Sequence, residues 1–226
     1  MDNTQQLIWS KEHQSPSSFK KIHSESPSEP VIDFGQFLNS VSLTANNTRI
    51  LDIGCGKGRN SLYLAQNCFA VTGVDFIESA VKEAKLRAKN LKLKANFSTL
   101  DITQSWPFAD NSFNALIDCN TTICVPDPDR SQAIAEIYRC LSPNGYYLFY
   151  GVGPTDLLKT NPGPEKNSCF FPKSGKFEKQ YSRSELISSY KNFGFKLIKI
   201  DELIKEAEIE GKMIKFPVWV AIFKKN

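Results

Sequence analysis

The chain has 226 residues, 41% hydrophobic and 23% charged, with 12 Gly, 12 Pro and a formal net charge of +4. These proportions exclude a collagen, a coiled coil and a wholly disordered chain, and the length suits one domain or one domain with an appendage. The positive charge is small and dispersed. The basic residues between positions 82 and 94 recur at helical spacing, as on a solvated helix face, so no nucleic-acid partner is expected.

Residues 1–30 are polar and rich in Ser and Pro, and they read as a flexible or lid-like arm ahead of a domain spanning 31–226. The opening lacks the basic stretch and apolar core of a secretory signal, and the longest clean apolar run, 218–223, is far short of the ~20 residues that cross a bilayer. A cytoplasmic protein without a membrane partner is expected. Six cysteines without a Cys-x-x-Cys pair, beside only two histidines, predict free thiols and no structural metal.

From residue 31 the pattern becomes periodic. A short helix is predicted over 31–41, with Phe34, Phe37, Leu38 and Val41 on one face. Apolar runs at 49–53, 69–75, 95–100, 113–118 and 146–150 predict strands, and helix-period segments lie between them at 59–67, 78–91 and 129–141. Asp129 and Gln132 are placed as a capping pair for the last of these. Residues 151–181 are rich in Gly and Pro and predict a long functional loop near an acceptor site. Ser182 and Glu185 predict a capping box opening a helix that ends at Gly194, and 196–203 and 218–224 are two further strands. Strands apolar throughout, alternating with helices, imply an α/β fold: a Rossmann-like, doubly wound, mostly parallel seven-stranded sheet with helices on both faces.

Leu51-Asp-Ile-Gly-Cys-Gly-Lys-Gly-Arg-Asn60 follows the first strand and opens a helix. Gly54, Gly56 and Gly58 leave room for a ligand against the backbone. The residue after Gly58 is Arg59, which departs from a dinucleotide fingerprint, and no Gly-Lys-Ser/Thr follows, which excludes a P-loop. The segment resembles motif I of the class I S-adenosylmethionine-dependent methyltransferases. Val71-Thr-Gly-Val-Asp75, Thr99-Leu-Asp-Ile102, the 108–118 segment and Arg139-Cys-Leu-Ser-Pro-Asn-Gly145 extend the resemblance closely over about 45–150 and loosely over 180–226. In the last segment Asn144 replaces a glycine, a mild change because Asn tolerates positive φ.

The resemblance implies S-adenosylmethionine as cofactor. It assigns cofactor contacts to Asp52, Gly54, Cys55, Gly56, Asp75, Phe76, Asp101, Ile102 and Asp118. Asp75 would take both ribose hydroxyls, the Asp101 carboxylate and the Ile102 amide would meet adenine, and Asp52 either touches ligand or only stabilises the turn. Asp118 or Asn120, after the fourth strand, would hold the acceptor or the cofactor's ammonium. Cys124 stands where many relatives carry a histidine, so no histidine base is implied. Trp9 and His13 read either as a lid or as part of a tail. Phe171 and Tyr181 either line an acceptor pocket or pin the loop to the sheet.

Tyr181-Ser-Arg-Ser-Glu-Leu-Ile187, Gly194-Phe195 and Trp219 loosely resemble the tellurite- and thiopurine-methylating branch. The expectation is metal-independent methyl transfer to a small molecule. The rivals are a protein or RNA methyltransferase and a non-catalytic module that binds the cofactor.

Overall fold

The computed structural model describes residues 3–14, 25–45, 47–209 and 212–226. In chain order the elements begin α1 (Asn3–Gln14), α2 (Glu29–Ser40), β1 (Arg49–Ile53), α3 (Arg59–Gln66), β2 (Ala70–Asp75), α4 (Glu78–Asn90), β3 (Ala95–Thr99) and β4 (Phe113–Cys119). A 3₁₀ turn at Thr122–Cys124 leads to α5 (Asp129–Cys140), β5 (Leu141–Val152), α6 (Leu157–Thr160), β6 (Ser168–Phe170) and β7 (Phe177–Lys179). The chain closes with α7 (Arg183–Asn192), β8 (Phe195–Ile209) and β9 (Lys212–Lys225).

Seven strands make one sheet in the order β3-β2-β1-β4-β5-β9-β8. β1 to β5 pair in parallel, whereas β9 runs antiparallel between β5 and β8. The order reverses between β1 and β4, so a crevice opens where their carboxyl ends diverge.

Because successive strand residues point to opposite faces, each central strand feeds two cores. Ile50, Ala115, Ile117 and Leu148 pack under Val31, Phe34 and Leu38 of α2 and Leu64 of α3. Leu51, Ile53, Leu116 and Tyr147 pack with Ile134 and Ile137 of α5 and Tyr190 of α7. Val81, Ala84 and Ala88 of α4 close a third cluster over Cys55 and Phe97. Each fully buried Val, Leu, Ile or Phe among them stabilises the fold by about 1.5–3 kcal/mol. This two-sided burial makes the central strands β1 and β4 read as largely apolar runs.

Several boundaries differ from expectation for local reasons. β5 begins at Leu141, because Leu141 pairs with Phe113 before a bulge restores register at Tyr146 opposite Ala115. Asn144 takes φ 62° within that bulge. Asp129 and Gln132 do not cap α5. The residue before the helix is Pro128, and Asp127 Oδ1 instead accepts from the Ser131 amide and hydroxyl at 3.1 and 2.8 Å. At α7, Ser182 Oγ accepts from the Glu185 amide at 3.3 Å. The Glu185 carboxylate turns away to Lys179 and Asn167, so only half of the capping box forms.

Residues 151–181 are not a structureless loop, since they contain α6 and the β6–β7 hairpin. Within 1–30, α1 is helical and Gln5, Ser28 and Pro30 are buried. The amide of Ser28 donates to Asn60 Oδ1 at 2.9 Å, fastening the start of α2 to α3. Among the described residues no helix is long and apolar enough to cross a membrane.

Candidate active site

The turn after β1 is stitched to its neighbours through the backbone. The Cys55 amide donates to the Val74 carbonyl and the Gly58 amide to the Cys55 carbonyl, both at 2.9 Å. Gly54 has φ 67°, and a Cβ there would lie 2.1 Å from Thr121 Oγ1. That hydroxyl donates to the Ile53 carbonyl at 2.9 Å, so the loop after β4 clamps the loop after β1. The Cys55 thiol points into the α3–α4 core, where burial pushes its pKa well up, leaving only its backbone for a ligand.

Asp75, at the end of β2, is held by two amides. Gly56 N–H donates to Oδ2 at 2.8 Å and Ile77 N–H to Oδ1 at 2.9 Å. Burial raises its pKa, opposed by the Ile77 amide, by the nearby His13 and by the Gly56 amide. Asp52 points to the α3 side of β1 and accepts from the Ser61 hydroxyl. Desolvation lifts its pKa to about 7 against that bond. It braces the first turn of α3 from beneath.

Beside Asp75 lies a cavity of about 400 Å³ lined by Phe76, Thr99, Leu100 and Asp101 from the strand ends and by Gln6 and Ser10 from α1. Asp101 Oδ1 accepts from the Thr103 amide and hydroxyl at 3.0 and 2.8 Å. The Ile102 side chain is buried in the core, and the cavity wall ends at Asp101.

The helix α1 spans the mouth. Gln5 Nε2 donates to the Gly175 carbonyl at 2.9 Å, and the Phe177 amide donates to Gln5 Oε1 at 3.1 Å. Lys176 Nζ sits 3.4 Å from Glu12 Oε2 and 5.0 Å from the centre of the Trp9 ring. At the other end of α1, His13 Cε1 lies 3.5 Å from where a Gly56 Cβ would be. Helix α1 therefore ties the β6–β7 hairpin to the glycine turn.

Asp118 departs from the expected ligand role. Register puts its side chain on the Leu116 face of β4, inside the aromatic core with Tyr147 and Tyr190. It is 0% exposed, and it accepts from the Thr121 amide and the Tyr147 hydroxyl at 2.8 and 2.9 Å and also from the Thr122 hydroxyl. Burial raises its pKa and these donors oppose the rise. Its task is to shape the turn that carries Asn120 and Thr121.

Asn120 has φ 62° and donates its amide to the Tyr150 carbonyl at 2.8 Å. Its buried Oδ1 has no hydrogen-bond partner among the described residues, and the same holds for Trp9 Nε1. Phe171 closes the hairpin turn, accepting from the Gly175 amide at 2.7 Å. Tyr181 is buried in the core and also lines a cavity of about 380 Å³ with Arg130, Glu165 and Lys179. Its ring packs edge-on against Phe149 at 5.9 Å and its carbonyl accepts from Trp219 Nε1 at 2.7 Å, which pins the loop to the sheet.

Gln5, Lys176 and Glu178 stand outside every motif of the sequence. The one available signal was the short Phe177-Glu-Lys179 alternation, hidden in a stretch dominated by Gly and Pro. Among the described residues, no three His, Cys, Asp or Glu side chains are grouped to hold a metal ion.

A parallel sheet with a glycine turn and a strand-end carboxylate at its switch point defines an α/β protein that binds a nucleoside-bearing cofactor. Residues 50–145 match the family model for a methyltransferase domain. A ubiquinone biosynthesis O-methyltransferase of Coxiella burnetii is 30% identical over 161 residues, 70% of this chain and 68% of that protein. A crystal structure of a SAM-dependent methyltransferase from Methanosarcina mazei is 26% identical, with a TM-score of 0.71 over 83% of this chain and 96% of that one. TehB from Haemophilus influenzae shares the fold, with a TM-score of 0.64 at 20% identity over 85% of this chain and 62% of that one. The chain belongs to the class I S-adenosylmethionine-dependent methyltransferases. It spans between 41 and 55% of the length of several other curated relatives that it matches.

S-adenosylmethionine is the family's cofactor, and the residues present fit it. Asp75 offers two aligned acceptor oxygens suited to a vicinal diol, and the neighbouring cavity has the aromatic wall and carboxylate that an aminopurine needs.

Proposed function

We propose that this chain transfers a methyl group from S-adenosylmethionine to a small-molecule acceptor, without a metal. The observation that carries this reading is the buried Asp75 carboxylate, fixed by the Gly56 and Ile77 amides beside the cavity at Phe76 and Asp101. In this reading Asp75 holds the ribose, Asp101 the adenine, and the backbone of residues 54–56 the methionine portion. When bound, the sulfonium supplies an activated methyl group for in-line displacement.

The protein's share is alignment and exclusion of water, and positioning of this kind can remove ~7–11 kcal/mol from a barrier. Helix α1 acts as the lid: Gln6 and Ser10 cover the adenine cavity while His13 lies over the glycine turn. In this reading the acceptor is received beside Asn120, the β6–β7 hairpin and Trp9, where Asn120 Oδ1 and Trp9 Nε1 lack partners among the described residues. A mouth walled by one short helix and one hairpin suits a small acceptor. The test is formation of S-adenosylhomocysteine in a screen of phenols and thiols, with and without EDTA. Turnover unaffected by EDTA supports the reading, and loss rescued by magnesium contradicts the metal-free assignment.

A further inference from the structure

The hairpin places a carboxylate at the acceptor side that no feature of the cofactor site uses. Glu178 stands opposite Cys169 in the β6–β7 pair, and β7 packs against the 3₁₀ turn that follows Asn120 and Thr121. Its neighbours Phe177 and Lys179 are buried, whereas Glu178 itself is half-buried and keeps contact with open space.

One oxygen is anchored. Gln180 Nε2 donates to Glu178 Oε1 at 2.9 Å. Gln180 is itself 0% exposed and locked, because its Oε1 accepts from the Thr155 amide and hydroxyl at 2.8 and 3.0 Å. A neutral amide chain thus orients the carboxylate without neutralising it. The groups facing it are Lys176 on the hairpin, the Cys169 thiol on β6 and the Cys124 thiol on the 3₁₀ turn, with Glu12 of α1 drawn towards Lys176. Desolvation pushes the Glu178 carboxyl up to about 7, against the Gln180 bond and the Lys176 charge. An acid poised there exchanges a proton readily at neutral pH.

Resting on the methyltransferase reading, the geometry points to Glu178 as the general base for an acceptor that arrives as a neutral hydroxyl compound, a phenol in particular. Glu178 takes the proton from the O–H. The oxygen lone pair forms the new bond to the methyl carbon, the carbon–sulfur bond breaks, and its electron pair stays on sulfur. Protonated Glu178 then returns its proton to solvent. A cationic amine is disfavoured by Lys176 beside the same carboxylate. A thiol needs less help to ionise. Trp9 and Cys124 belong to one apolar cluster, and the buried Asn120 Oδ1 and Trp9 Nε1 have no hydrogen-bond partner among the described residues, so both are available to an aromatic hydroxyl compound.

The experiment compares the full-length wild type with Glu178→Gln and Glu178→Asp. S-adenosylhomocysteine affinity by calorimetry should stay within about threefold in both variants, since Glu178 does not touch the cofactor site. Carbon-13 NMR of carboxyl-labelled glutamate in the free protein should show one resonance titrating near 7 in the wild type and missing in Glu178→Gln. Turnover of weakly acidic 4-methoxyphenol at neutral pH should fall about 100-fold in Glu178→Gln, and Glu178→Asp should recover part of it. More acidic 4-nitrophenol, about half ionised at neutral pH without help from a base, should lose less than about fivefold, and the acidic limb of the pH–rate profile should vanish in Glu178→Gln. Equal losses for both phenols, turnover confined to thiols, or a Glu178 resonance that titrates below 5 would overturn the assignment. Failure of the wild type to bind S-adenosylhomocysteine would overturn the methyltransferase reading and this assignment together.

Discussion

The hydroxyl of Thr121 occupies the space that a side chain on Gly54 would need. The 2.1 Å approach of a hypothetical Cβ to Thr121 Oγ1 shows that the loops after β1 and β4 are built as one interlocked unit. Thr121 is in turn held by Asp118, which accepts its amide at 2.8 Å from within the core. The loops after β1 and β4 therefore share a single support.

Gly54→Ala should be harmful on two counts, the clash with Thr121 and a φ of 67° that a Cβ disfavours. The expected cost is about 1–3 kcal/mol of stability, with weaker cofactor binding. Urea unfolding and calorimetry measure the two effects. The double variant with Thr121→Ala, which removes both the hydroxyl and the methyl that a Cβ on Gly54 would meet, should recover part of the stability.

Asp75 and Asp118 are both buried strand-end aspartates, and their variants should separate. Asp75→Ala should weaken S-adenosylhomocysteine binding by about one to two powers of ten through loss of charge-assisted hydrogen bonds. Asp118→Ala should instead destabilise the protein by about 3 kcal/mol, because it strands the donors of Thr121, Thr122 and Tyr147. A melting temperature unchanged in Asp118→Ala together with abolished binding would reverse the two roles.

Asp52 makes a pH prediction. Its folded value of about 7 exceeds the ordinary 3.8, so the native state binds the proton more tightly than the unfolded chain. Its contribution to stability is therefore greatest below the unfolded value and is lost as pH rises from about 4 towards 7, with an upper limit of about 4 kcal/mol. Asp52→Asn, which keeps an acceptor for Ser61, should raise the melting temperature at pH 8 more than at pH 4. Parallel curves for the two proteins would show that Asp52 is ionised without penalty.

Removing residues 1–24 takes away α1 but spares Ser28 and its bond to Asn60. The remaining domain should stay folded, with a melting temperature only a few degrees lower, and should bind S-adenosylhomocysteine at least about tenfold more weakly for want of the Gln6 and Ser10 wall. Unchanged affinity would make α1 a bystander.

The parallel core was legible because its strands are buried on both faces, so Ile50, Leu51 and Ile53 announce β1 without any knowledge of its partners. The glycine turn was legible because backbone strain and ligand approach both demand glycine. Three features were hidden. The orientation of Asp118 depends on the register of β4, and one residue's shift would turn it to the other face. The outer part of the β8–β9 hairpin leaves Ile204 and Met213 exposed, so it lacks the burial that marks a strand. The docking of α1 rests on Gln5 and on the Lys176 pairings with Glu12 and Trp9, polar contacts that leave no apolar period in a sequence such as Asn3–Gln14.

Every role assigned above depends on S-adenosylmethionine binding at the glycine turn and Asp75. Calorimetric titration of the full-length protein with S-adenosylhomocysteine tests it most directly. Micromolar binding that weakens by one to two powers of ten in Asp75→Ala, with the fold intact, is the predicted result. No binding to the folded wild type, or equal binding to both proteins, would contradict it.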